Sequence, residues 1–164
     1  MQIIMADYTD HQHCNDIMFL LNEYAKGPMG GGKALPDNTL KNLPKALAKR
    51  HDALSILCYV DNKAVALVNG FEGFSTFACQ PLMNIHDIIV LPSHRGLGIS
   101  QRLLSTVETI AIERGYCKIT LEVLEGNHIA HNAYVKYGFA GYALDPAMGT
   151  ALFLEKHLSR DFSN

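Results

Sequence analysis

The chain predicts an α/β fold in which helices pack on a mixed β-sheet, and three observations carry that prediction. The middle of the chain is a succession of β-branched and aromatic runs parted by turn residues. Amphipathic helical stripes precede and follow it. A strand, a glycine loop and a helix then follow one another without interruption, in "DIIVLPSHRGLGISQRLLSTVETIAIERG".

The elements are expected in this order. "QIIMADY" reads as a short first strand. A helix runs from an Asp10 cap through Lys26, with Ile17, Leu20, Leu21 and Tyr24 on one face. "KGPMGGGKALPDN" is a connector rich in Gly and Pro. Leu40, Leu43 and Leu47 suggest a second helix, with Pro44 near its start. "LSILCYV", the turn "DNK" and "AVALVNGFEG" predict a hairpin. "FSTFACQ" and "LMNIHDIIVL" read as two further strands, broken at Pro81. Leu103, Leu104, Val107, Ile110 and Ala111 form a helical stripe that ends at Gly115. "CKITLEVL" is a strand, "NHIAHNAYVKYG" a helix, and "FAGYAL" and "TALFLEKHL" a final pair of strands. With no internal repeat and no dividing linker, residues 1–164 are expected to form one domain, with 158–164 as a frayed tail.

Composition narrows the function classes. The 164 residues are 48% hydrophobic with a net charge of −2, which suits a globular core and lacks the basic stripe of a nucleic-acid surface. No signal peptide, polybasic patch or membrane-length apolar run is visible. Cys14, Cys58, Cys79 and Cys117 are scattered without a CxxC pair, so reduced thiols and a cytoplasmic location are expected. Cys79 and Cys117 are expected to be small buried residues. His128 and His131 stand three apart, but no further ligands accompany them, and no metal site is expected.

The stretch from Val90 to Ser100 joins a strand, a glycine loop and a helix start. Glycines let backbone N–H groups approach an anion, and a helix N-terminus presents unpaired donors and the positive end of its dipole. A phosphate or pyrophosphate fits there, and Arg95 can add a charged bond. A tight turn explains the glycines equally well. The P-loop pattern GxxxxGK[ST] is absent, and a GxGxxG fingerprint fails at Gln101.

A third pattern accounts for more residues. Arg95-Gly96-Leu97-Gly98-Ile99-Ser100 resembles the Q/R-x-x-G-x-G/A motif of the GNAT family of acetyl-CoA-dependent N-acetyltransferases, departing from it only at Ser100. Val90-Leu91-Pro92 matches an upstream V-x-P. Asn127, Ala130, Tyr134 and Gly138-Phe139 fall at the spacings of a second family block. The similarity runs from about Asn84 to Tyr142, by the motif reading.

The resemblance implies a mostly antiparallel mixed sheet flanked by helices, with splayed strands forming a CoA cleft. It implies that backbone groups of Ile88, Ile89 and Val90 pair with pantetheine. Gly96, Leu97, Gly98, Ile99, Ser100 and Gln101 would then hold the pyrophosphate with Arg95, and Asn127 would line the cofactor side. The implied reaction is attack of a primary amine, most readily that of a small molecule, on acetyl-CoA in a ternary complex. Such a transfer needs a base for the amine, stabilisation of the oxyanion and an acid for the thiolate. By the family match Tyr134 is the acid. Glu122 ranks first as base, Asp87 second and Glu72 third. Acetylation of protein lysines or N-termini stays open, as does a CoA-binding module without turnover. Many family members dimerise, and the last strand offers an edge for a second copy.

Overall fold

The computed structural model describes residues 1–142, 145, 147 and 149–158. Among the described residues five strands form one sheet in the order β1-β2-β3-β4-β5. They are β1 (Gln2–Met5), β2 (Ala53–Val60), β3 (Lys63–Ser75), β4 (Gln80–Val90) and β5 (Ile119–Leu121). The first four pair antiparallel, and β5 joins β4 in parallel, so the sheet is mixed as the sequence predicts. The helices are α1 (His11–Lys26), α2 (Asp37–Ala48), α3 (Ile99–Glu113) and α4 (His128–Tyr137).

The two faces of the sheet bury different helices. Alternation along β2 and β3 sends Ile56, Ala66 and Val68 to one side, where Leu103, Leu104 and Val107 of α3 and Tyr134 of α4 meet them. Leu57, Leu67 and Ile89 point the other way, onto Ile17 and Leu20 of α1 and Leu47 of α2. Asp10 caps α1 by accepting from the backbone N–H groups of Gln12 and His13. The β2–β3 hairpin closes through Asp61 and Asn62, both at positive φ (49° and 59°), the pair of conformations a type I′ turn requires.

Several sequence expectations are corrected. Pro44 lies well inside α2 rather than near its start. Its ring removes one N–H from the ladder, and the packing of Leu43 and Leu47 beside α1 holds the helix. "FSTFACQ" is not a separate strand but the end of β3 and its turn. β4 then runs unbroken through Pro81, which sits beside Phe74 near the hairpin end of the ladder. β5 keeps only three residues of "CKITLEVL". Residues 139–142 and 150–158 are not strands, for no strand among the described residues pairs with them. Leu152, Phe153, Leu154 and Leu158 are exposed there. Ala143, Leu144 and the tail from Ser159 lie outside the described residues. Cys79 and Cys117 are exposed rather than buried, and none of the four cysteines is paired.

Candidate active site

β4 and β5 share only three rungs, Met83↔Ile119, Asn84↔Thr120 and Ile85↔Leu121. β4 continues to Val90 without β5 beside it, which opens a gap along its far edge. The Leu91 N–H donates to the Val65 carbonyl at 2.9 Å. In an antiparallel ladder bonded and unbonded positions alternate. The peptide groups of Ile89 and Asp87 therefore turn to β3, and those of Ile88 and Val90 face the gap. Consistent with that, the Val90 carbonyl accepts from Arg95 Nε at 3.1 Å.

Below the gap the chain turns through Pro92–His94, and Gly96 (φ 78°) and Gly98 (φ 74°) both adopt left-handed backbone. No atom beyond the adjoining residues lies within 4 Å of where a Cβ would stand on either glycine, so the space beside the loop is open. Gly98 is the N-cap of α3, with no side-chain cap and no carboxylate in the first turn. The helix therefore presents its first N–H groups and its dipole to that space, with Arg95 exposed beside it. Leu97 is exposed, Ile99 buried and Ser100 half-buried. Gln101 Nε2 donates to the Ala133 carbonyl at 3.0 Å and ties the start of α3 to α4.

α4 closes the other side. Asn127 is its N-cap, accepting from the Ala130 N–H at 3.3 Å. Tyr134 is buried with its ring edge-on to Phe139 (6.0 Å). Burial, with a smaller contribution from Tyr24, pushes its phenol up to about 12.

The carboxylates divide between the faces. Asp87 is the register partner of Asn69 and lies on the α1 side, its neighbour His86 being the extra residue of a bulge opposite Asn69–Gly70. A Cβ on Gly70 would meet the Met83 sulfur at 2.6 Å and the Asn84 carbonyl oxygen at 3.2 Å, so a larger residue there would force the buried Met83 side chain to shift. Asn84 Nδ2 reaches Thr120 Oγ1 at 3.1 Å and Glu122 Oε1 at 3.4 Å, which puts Glu122 on the Asn84 side of the sheet while Leu121 and Val123 pack into the α3 core. Glu72 is held by the Tyr116 hydroxyl at 2.5 Å, whose ring packs against the α3 core.

Sequence reasoning missed Tyr24, Ser55, Asn69 and Asn84. Tyr24, on α1, donates to the Met29 carbonyl, and burial followed by the charge of Asp87 raises its pKa. Polar residues inside the apolar runs "LSILCYV" and "AVALVNGF" were the available signal for Ser55 and Asn69.

A parallel–antiparallel sheet that splays beside a glycine-capped helix defines an acetyltransferase-type fold, and the comparisons agree. The acetyltransferase (GNAT) family pattern matches residues 17–139, and the chain belongs to that family. Streptothricin acetyltransferase of Streptomyces lavendulae is 42% identical over 84 residues, covering 50% of this chain and 44% of that protein. The chain thus spans less than half of that relative's length. The crystal structure of a probable acetyltransferase superposes with a TM-score of 0.80 at 18% identity, covering 97% of this chain and 100% of the other. Aminoglycoside N-acetyltransferase AAC(6')-Iy in complex with CoA gives a TM-score of 0.73 at 17% identity, covering 96% and 95%. These structures share the fold. Among the described residues no helix is long and apolar enough to cross a membrane.

Proposed function

We propose that the protein is an N-acetyltransferase that moves the acetyl group of acetyl-CoA onto the primary amine of a small molecule. The observation that carries this reading is the unpaired β4 edge leading directly into the glycine-capped start of α3. A pantetheine arm is an extended amide chain. Ile88 and Val90 offer it the hydrogen bonds of a missing strand. Gly96 to Gln101, with Arg95, offer the pyrophosphate backbone donors, open space and a cation.

The chemistry follows from this arrangement. The amine nitrogen attacks the thioester carbon, the C–N bond forms, and the C–S bond breaks as the tetrahedral oxyanion collapses. Tyr134 gives its proton to the departing thiolate, and a phenol held up to about 12 is fully protonated at neutral pH for that task. The amine loses a proton to a carboxylate on the α1 side of the sheet, where Asp87 and Glu122 both stand. The proton count balances, one given and one taken.

A small-molecule acceptor is favoured by the likeness to streptothricin acetyltransferase. Streptothricin is therefore the first acceptor to test. CoA release would be measured with it and with polyamines, amino acids, aminoglycosides and peptides. Release with a small amine is the expected result. Release with peptides alone would move the acceptor to proteins. Acetyl-CoA binding without release would leave a CoA-binding module, and absence of binding would remove the pyrophosphate reading.

A further inference from the structure

Among the described residues two polar side chains are buried, Ser55 at 1% exposure and Asn69 at 4%. Both belong to one hydrogen-bonded chain. The Tyr8 hydroxyl meets Ser55 Oγ at 2.9 Å, Ser55 Oγ meets Asn69 Oδ1 at 2.6 Å, and Asn69 Nδ2 meets Asp87 Oδ2 at 3.0 Å.

The chemistry of the groups sets the direction of each bond. A carboxylate only accepts, so Asn69 turns its amide NH₂ to Asp87 and its carbonyl oxygen to Ser55. The serine gives its single hydrogen to that oxygen, and its own oxygen accepts from Tyr8. The chain donates one way, from Tyr8 to Asp87.

Ser55, Asn69 and Asp87 are register partners on β2, β3 and β4 and form one rung of the sheet. The next rung on the same face is Leu57, Leu67 and Ile89, all apolar and packed on α1 and α2. The fold is satisfied there by hydrophobic residues alone, and a buried polar rung costs desolvation that an apolar one does not. The polar rung ends on the one carboxylate that stands at the bulge, beside the open part of β4. Its other neighbours are His86, with Nδ1 3.7 Å from Asp87 Oδ1, and Tyr24 of α1.

We propose that Tyr8, Ser55 and Asn69 are positioning residues that hold the Asp87 carboxylate fixed toward the acceptor, so that Asp87 rather than Glu122 takes the proton from the attacking amine. This rests on the acyl-transfer reading above. The N–H bond of the amine breaks as its N–C bond forms, and the proton passes to the free face of the carboxylate.

The test uses an isosteric pair at the middle of the chain. Ser55→Thr keeps the hydroxyl, and Ser55→Val replaces it with a methyl of the same shape. Asn69→Leu, which removes the link itself, is the second site. Steady-state kinetics with the best acceptor would be read with acetyl-CoA affinity by calorimetry and melting temperature. The expected result is a kcat ~10-fold lower in Ser55→Val and lower again in Asn69→Leu, with acetyl-CoA affinity unchanged and Ser55→Thr near wild type. Equal kcat in Ser55→Val and wild type, in folded proteins that lose activity on Asp87→Asn, would overturn the positioning role. A folded wild type that binds acetyl-CoA and acetylates no amine would overturn the acyl-transfer reading beneath it, a result the first comparison cannot produce.

Discussion

Asn84 on β4 donates to Thr120 on β5 at 3.1 Å across the middle rung of the only stretch these strands share. The same amide reaches Glu122 at 3.4 Å. An amide NH₂ carries two hydrogens, so one side chain fastens the strands just before they part and steadies an exposed carboxylate at the gap. Asp87, by contrast, is fixed from the buried side.

That contrast separates the two carboxylates kinetically. Asp87→Asn is expected to lower kcat by ~10²-fold or more at neutral pH, as for a lost general base. The loss should shrink as pH rises and free amine becomes abundant. Glu122→Gln should raise KM for the amine with kcat little changed. A pH–rate series on both variants decides, and the reverse pattern would make Glu122 the base.

Gly98 and Gly115 make a matched pair for the loop. Their φ values are 74° and 70°, and neither has an atom beyond the adjoining residues within 4 Å of its missing Cβ. Alanine at either position should cost a similar ~1–2 kcal/mol through backbone strain alone. Only Gly98→Ala should also weaken acetyl-CoA binding, by ~10-fold or more, because its methyl enters the pyrophosphate space. Gly98→Val should remove measurable binding. Equal acetyl-CoA affinities by calorimetry in both alanine variants would argue against the phosphate cradle.

Tyr134→Phe retains the ring that packs on Phe139 and removes the hydroxyl. A kcat loss of roughly 10²–10⁴-fold is expected, with little change in acetyl-CoA affinity. The loss should be milder for an acyl donor with a more acidic thiol, since that leaving group needs less protonation. An equal loss for good and poor leaving groups would make Tyr134 a positioning residue.

Burial of the same phenol has a consequence for stability. The folded pKa of Tyr134 is about 12, above the ordinary tyrosine value near 10. The unfolded chain therefore gives up this proton first. The contribution to stability is whole below pH ~10 and is lost as pH rises toward about 12. Tyr134→Phe should show a shallower fall in melting temperature than wild type as pH rises from about 10 toward about 12. An identical fall would mean the phenol is solvated in the folded state.

The sequence by itself determined the parts whose signal is local. Asp10 caps α1, Asp61-Asn62 makes a tight hairpin turn, and Gly98 opens α3 because each acts on backbone within a few residues of itself. The same holds for the order of strand, loop and helix that points to an anion. Tertiary structure decided what depends on neighbours. Pro81 stays inside β4 because its peptide turns away from β3, its carbonyl accepting from the Cys117 N–H at 2.9 Å, so its missing N–H breaks no bond to β3, and "TALFLEKHL" has β-forming residues but, among the described residues, no strand paired alongside. The same is true of the proposed acceptor side. Ser55, Asn69 and Asp87 are far apart in the chain and become one rung only when β2, β3 and β4 take their register. Sequence periodicity reports which face a residue occupies, whereas a hydrogen bond between strands depends on which residue register sets opposite it.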